Sequence, residues 1–178
     1  MLALSDLGFF VSLIDLCLAL KWSPLGDKEY TVIYESMTWI NAQKHCEDLG
    51  GGLAQPDTEE RNKFLISLTD QTSWLWLGAS NAYDRKTWEW HNPFKPMTFK
   101  YWASTEPDDL NNQNCLLYWK SNEGYKWGDF YCTDTSRQRG FICQRDRVSS
   151  CQNNDITVYG GRGYMLDRSG QKCITICL

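Results

Sequence analysis

The sequence predicts an α+β domain in which two helices flank antiparallel sheets and a long loop region. Three observations carry that prediction. Two segments between Ser36 and Asp70 open on capping residues and place apolar side chains at helical spacing. Beyond them the apolar residues fall in short runs such as Trp74-Leu75-Trp76-Leu77-Gly78, of strand rather than helix length. Residues 91–114 then hold three of the five prolines among many polar residues, a long loop of the kind that is either functional or disordered.

The first strand is expected at Tyr30-Thr31-Val32-Ile33-Tyr34, which mixes aromatic and β-branched residues. Ser36 offers an N-cap for a helix running to Leu49 that buries Trp39, Ala42, Cys46 and Leu49, and Gly50-Gly51-Gly52 stops it. Asp57 with Glu60 three residues on forms a capping box for a second helix from Thr58 to Asp70, burying Phe64, Leu65 and Leu68. Trp74 to Gly78 is a central strand, and Trp88-Glu89-Trp90 alternates. Tyr101-Trp102 anchors the long loop, and three closing strands are expected at Cys115–Trp119, Tyr125–Trp127 and Gly140–Cys143.

Composition narrows the function. The chain has 178 residues, 42% of them hydrophobic and 14% aromatic, enough for one domain with a real core. A net charge of −4 without a basic patch lacks the electrostatic footprint of a nucleic-acid binder. Eight cysteines without a C-x-x-C pair, and only two histidines, His45 and His91, argue against a zinc cage and for disulfides made in an oxidising compartment. The apolar run from Leu7 to Leu20 is too short to span a bilayer and reads as a secretory signal peptide over residues 1–19, despite Asp6 and Asp15. No later segment could span a membrane, so the protein is expected to be secreted, and it carries no Asn-x-Ser/Thr sequon. Residues 146–178 form a cysteine-containing tail, or the start of a second module, too small to bury a core alone. With Cys17 removed, Cys151, Cys173 and Cys177 are odd in number, which allows a disulfide-linked dimer.

Oxygen ligands concentrate in two places. Glu106-Pro107-Asp108-Asp109 leads through Asn111-Asn112-Gln113-Asn114 to Cys115, and Trp127-Gly128-Asp129 leads to Cys132. Ca²⁺ takes six to eight such oxygens, so the pair of clusters reads as a loop-borne metal site. The alternative is an acidic, solvated loop. No nucleophile–base pair is evident. Glu106 with Asp108 or Asp129 could serve as the acid and base of a glycosidase, but no second catalytic signal accompanies them, so no enzyme is expected.

Taken in order over residues 28–145, the chain resembles the C-type lectin-like domain. The resemblance rests on Trp39-x2-Ala42-x3-Cys46, Gly51-x-Leu53-Ala54, Trp76-Leu77-Gly78, Trp88-x-Trp90, Glu106-Pro107-Asp108, Cys115, Trp127-Gly128-Asp129, Cys132 and Gly140-Phe141-Ile142-Cys143. It implies a C-type lectin-like fold with a long Ca²⁺-binding loop region, and disulfides Cys46–Cys143 and Cys115–Cys132. Each bridge is worth about 3–5 kcal/mol by loop entropy.

The resemblance also implies a site. Its metal ligands map to Glu106, Asp108, Gln113, Gly128 and Asp129, and of these Gly128 has no side chain to offer. Glu106, Asp108 and Asp129 keep three carboxylates, and Gln113 keeps an amide oxygen; water, Asn111 or Asn112 would fill the vertex at Gly128, whose small size would open the floor of the site. The same four side chains, Glu106, Asp108, Gln113 and Asp129, would bind the sugar. Glu106-Pro107-Asp108 matches neither the Glu-Pro-Asn of mannose-type nor the Gln-Pro-Asp of galactose-type members, and its two ionised side chains only accept hydrogen bonds. Trp119, Tyr125 or Trp127 could stack on a sugar, Trp127 being the better core residue. A cis Glu106–Pro107 bond is expected with bound metal. A second metal site, mapping to Asn81, Arg85, Asp109 and Asn114, is not expected, because Arg85 repels a cation. The expected function is that of a secreted glycan-binding lectin, with Ca²⁺ as cofactor. The alternative is a lectin-like module that has lost sugar and calcium and binds protein.

Overall fold

The computed structural model describes residues 20–136 and 138–147, together with three short strands within residues 157–174. The expected signal peptide and the pairing of Cys151, Cys173 and Cys177 lie outside the described residues. Residues 22–146 form one compact unit, and the three short strands, Thr157–Val158, Tyr164–Leu166 and Lys172–Ile174, pair antiparallel in a sheet of their own.

Strand β1 (Ser23–Leu25) turns into β2 (Lys28–Ile33), and helix α1 (Trp39–Asp48) follows. Next come β3 (Gly52–Leu53), helix α2 (Glu59–Leu68), β4 (Trp74–Ser80), β5 (Glu89–Trp90), β6 (Lys95–Pro96), β7 (Cys115–Ser121), β8 (Gly124–Phe130) and β9 (Gln138–Asp146). One sheet runs β1-β2-β9-β4-β5-β6, with β7 between β4 and β8. Every pair is antiparallel except β4 with β9, so the sheet is mixed. The two helices and strands β4, β5, β7, β8 and β9 are those the patterning predicts, whereas β6 lies inside the expected long loop and the parallel β4–β9 pair departs from the expected antiparallel sheets.

Both helix starts lie one or two residues from their predicted caps, for a visible reason. Thr38, not Ser36, caps α1, accepting from Asn41 N at 3.4 Å, while Ser36 Oγ donates to Thr135 O at 2.8 Å. Thr58 caps α2. Asp57 is instead drawn into ion pairs with Arg61, at 2.6 Å, and with Lys95. Burial pushes the Asp57 carboxyl up, but the bonds from Lys95 and Arg61 outweigh it and hold it below the ordinary range. At the end of α1, Gly50 takes a φ of +87°, the left-handed stop its residue type allows. Gly51 serves another need, since a Cβ there would lie 1.8 Å from Gln144 O.

The core falls into two clusters. One gathers Leu65 of α2 with Tyr30, Leu75, Leu77, Trp90, Leu116, Tyr118 and Trp127. The other gathers Trp39, Ala42 and Cys46 of α1 with Trp76, Leu117, Phe130 and Phe141. Disulfide Cys46–Cys143 ties α1 to β9, and Cys115–Cys132 ties the start of β7 to the chain after β8. Both pairings are those the resemblance implies.

Candidate functional site

Hairpin β7–β8 carries the site. Its register sets Leu116 opposite Asp129, Leu117 opposite Gly128 and Trp119 opposite Lys126. Trp127 fastens the long loop to this hairpin. Its backbone N–H donates to Tyr101 O at 3.1 Å, and its carbonyl accepts from Ala103 N at 2.9 Å. Its side chain is fully buried, ringed by Trp90, Phe99 and Trp102, and its indole N–H donates to Asn62 Oδ1 at 3.1 Å. Trp127 is therefore core, and so is Tyr125, stacked on Tyr118 with ring centroids 5.1 Å apart.

From that anchor the loop turns back, with Glu106 N bonded to Ala103 O at 3.0 Å and a cis Glu106–Pro107 peptide. Asp129, only 4% exposed, organises the segment beyond Pro107. Its Oδ1 accepts from Asp108 N at 3.1 Å and its Oδ2 from Asp109 N at 3.4 Å, while its own N–H donates to Glu106 Oε2 at 3.4 Å. Gln113 Nε2 donates to Asp108 Oδ1 at 3.1 Å.

These contacts bring carboxylate oxygens of Glu106, Asp108 and Asp129 within 4.8 Å of one another. The Glu106 carboxyl is pushed up to about 8, first by burial, then by its contact with the Asp129 side chain and by the charge of Asp108. Three acceptors crowded this way, one of them desolvated, form a donor set that suits a hard cation. Gln113 adds an amide group. All four side chains line a cavity of about 220 Å³ whose other wall is Trp74, Leu117, Trp119, Gly128 and Phe130.

Three site details differ from the sequence expectation. Gly128 does not open the floor, because the Trp119 indole stands where a side chain at 128 would project. Neither Asn111 nor Asn112 lines the cavity; Asn112 bonds Asp109, and the Asn111 carbonyl takes the Arg85 guanidinium. Trp74, read as a strand residue, and Phe130, which lies beyond the expected strand Tyr125–Trp127, form an aromatic wall with rings 5.1 Å apart. Their signal lay in position alone, since Trp74 opens β4 and Phe130 closes β8. At the second-site positions Asn114 Nδ2 bonds Asn81 Oδ1 at 2.8 Å.

The Lectin C-type domain model matches residues 35–145. Over 113 residues the chain is 34% identical to the type-2 ice-structuring protein of Hemitripterus americanus, covering 62% of this chain and 66% of that one, just under two thirds of the relative's length. It is 27% identical over 136 residues to the perlucin-like protein of Mytilus galloprovincialis, covering 71% and 85%. Among solved structures, the mouse scavenger receptor C-type lectin carbohydrate-recognition domain superposes with a TM-score of 0.65 over 73% of this chain and 97% of that one, at 23% identity, a likeness of fold.

Proposed function

This chain belongs to the C-type lectin domain family, a non-enzymatic carbohydrate-binding fold, and from that premise we propose that it binds glycans at the Glu106–Asp129 cavity with Ca²⁺ as cofactor. The observation that carries this reading is the convergence of the Glu106, Asp108 and Asp129 carboxylates on one cavity. Those three residues and the Gln113 amide would hold the ion. Bound there, Ca²⁺ supplies a charge that offsets the crowded carboxylates and open positions for sugar hydroxyls. The chain's own part is to fix the carboxylates through the backbone amides of 108 and 109, and to present an apolar wall to the C–H face of a sugar. A cavity of about 220 Å³ is below the size of drug-sized ligand sites and suits a single sugar unit.

Two disulfides, which persist in an oxidising compartment, support secretion. Among the described residues no helix is long and apolar enough to cross a membrane. A single shallow site binds weakly, so avidity through a disulfide-linked dimer by Cys151, Cys173 or Cys177 belongs to the same proposal.

Calorimetry with Ca²⁺, then a glycan array with and without chelator, tests the proposal. Calcium binding with chelator-sensitive glycan signals is the expected result. The second reading, a lectin-like module that binds a protein or another surface without calcium, is favoured by the missing side chain at Gly128 and by an ice-structuring relative. Silence in both measurements selects it.

A further inference from the structure

Leu117 and Trp119 alternate along β7 and so lie on one face, as does position 128 opposite Leu117. Trp119 is thus the diagonal neighbour of 128, within reach of a long aromatic side chain. A Cβ placed on Gly128 would lie 2.6 Å from Trp119 Nε1, 2.8 Å from Trp119 Cδ1 and 3.5 Å from Glu106 Cδ. The indole edge therefore occupies the volume of a side chain at 128, a point that Glu106 also approaches. The ring is braced, edge to face, by Trp74 at 5.8 Å, which in turn packs on Phe130. Its Nε1 is buried and has no hydrogen-bond partner among the described residues.

A buried donor without a partner calls for an explanation, and the site offers one. An indole N–H donates and never accepts, so Trp119 cannot ligate a cation; it can only support an acceptor. Glu106 is the carboxylate bordering the same point, and a donor to an ionised carboxylate makes a strong, orienting bond.

We propose that Trp119 is a positioning residue of this site: its indole takes the volume of a side chain at 128, and its N–H, without a partner among the described residues, is the donor placed to engage the Glu106 carboxylate. Positions 119 and 128 form an exchange pair, in that side chains at the two positions compete for one volume. The consequence for affinity rests on the calcium reading above; the proposed contact between Trp119 and Glu106 does not.

Indole N–H resonances of the ¹⁵N-labelled, metal-free protein test the contact, with the Trp119 signal identified by its loss in Trp119→Phe. At mildly alkaline pH, Glu106→Gln should shift the Trp119 signal upfield more than any other indole, because a neutral amide accepts more weakly than a carboxylate. An unmoved signal overturns the proposal. Calcium titration tests the consequence. Trp119→Phe keeps the ring and removes the donor, and should weaken Ca²⁺ about tenfold, as loss of an outer-shell partner does, with the metal-free melting temperature little changed. Equal affinity in wild type and Trp119→Phe overturns the positioning role. If wild type binds no calcium at several millimolar, the calcium reading fails and the indole shift decides the contact alone. The exchange itself is read from stability: Gly128→Asn should lower the melting temperature and Trp119→Val with Gly128→Asn should recover it, whereas additive losses speak against an exchange pair.

Discussion

The indole nitrogen of Trp127 donates to Asn62 Oδ1 at 3.1 Å, joining the strand beneath the candidate site to the middle of α2. Asn62 is 1% exposed and also accepts from Tyr118 Oη at 2.6 Å. One amide oxygen thus satisfies the buried donors of two strand aromatics, β7's Tyr118 and β8's Trp127. Asn62→Leu should therefore destabilise the domain by about 2–4 kcal/mol, because it leaves both donors buried and unpaired. Urea unfolding monitored by tryptophan fluorescence measures this. A loss under about half a kcal/mol would mean that water or a shifted side chain replaces Asn62.

The two disulfides should separate in their effects. Cys46–Cys143 closes a separation of 97 residues and Cys115–Cys132 one of 17. Loop entropy gives about 4.7 kcal/mol for the first and about 3 kcal/mol for the second. Replacing each pair with Ala should cost stability in that order. Only the Cys115–Cys132 replacement should also weaken ligand binding beyond its effect on stability, because that bridge ties together the chain segments entering and leaving hairpin β7–β8. Denaturant midpoints set beside calcium titrations of the two variants distinguish the effects.

Much of this architecture is legible in the sequence, where local chemistry decides the outcome. The helical spacing of α1 and α2, the glycine stop at Gly50 and the strand runs of β4, β7, β8 and β9 each express a local preference that the fold keeps. The cap at Asp57 misleads because Lys95, 38 residues away, competes for the same carboxylate. Asn62 could not be picked out, because a polar residue on a helix looks like a solvated one until its partners arrive from β7 and β8. The acidic residues of the site are visible as a cluster, and the meaning of Gly128 is not. Its vacancy in sequence is an occupied volume in space, filled from a diagonal neighbour on the paired strand.

Metal-free stability should depend on Glu106. Its carboxyl is pushed up to about 8 in the fold, against about 4.3 for an unfolded glutamate. A raised folded value contributes stability that is fully present below the unfolded value and is lost as pH rises through about 8. The calcium-free protein should therefore melt lower at pH 8 than at pH 5, and Glu106→Gln should flatten that slope. Glu106 is partly solvated, so a modest fall of about 4 °C is expected. Differential scanning calorimetry in chelator across this range measures it. A slope that survives Glu106→Gln assigns the dependence to other groups.

Asp129 is where charge and geometry can be separated. The residue is 4% exposed, and its carboxylate accepts from the amides of Asp108 and Asp109. Asp129→Asn keeps the side chain's shape and one acceptor oxygen but removes the charge and turns an amide N–H₂ toward a backbone N–H. Calcium affinity should fall about tenfold or more, since Ca²⁺ affinity depends on ligand charge count. The loop at 108–109 should loosen, which amide hydrogen exchange at those residues would register as faster exchange. Glu106 should respond in the opposite sense, because the Asp129 side chain is one of the groups that hold its carboxyl up. Its titration, tracked through the ¹³C carboxyl resonance, should move down toward the ordinary glutamate range. If calcium affinity falls while the Glu106 titration stays near about 8, burial and the charge of Asp108 set that value without Asp129, and the Glu106 and Asp129 carboxyls do not share one site.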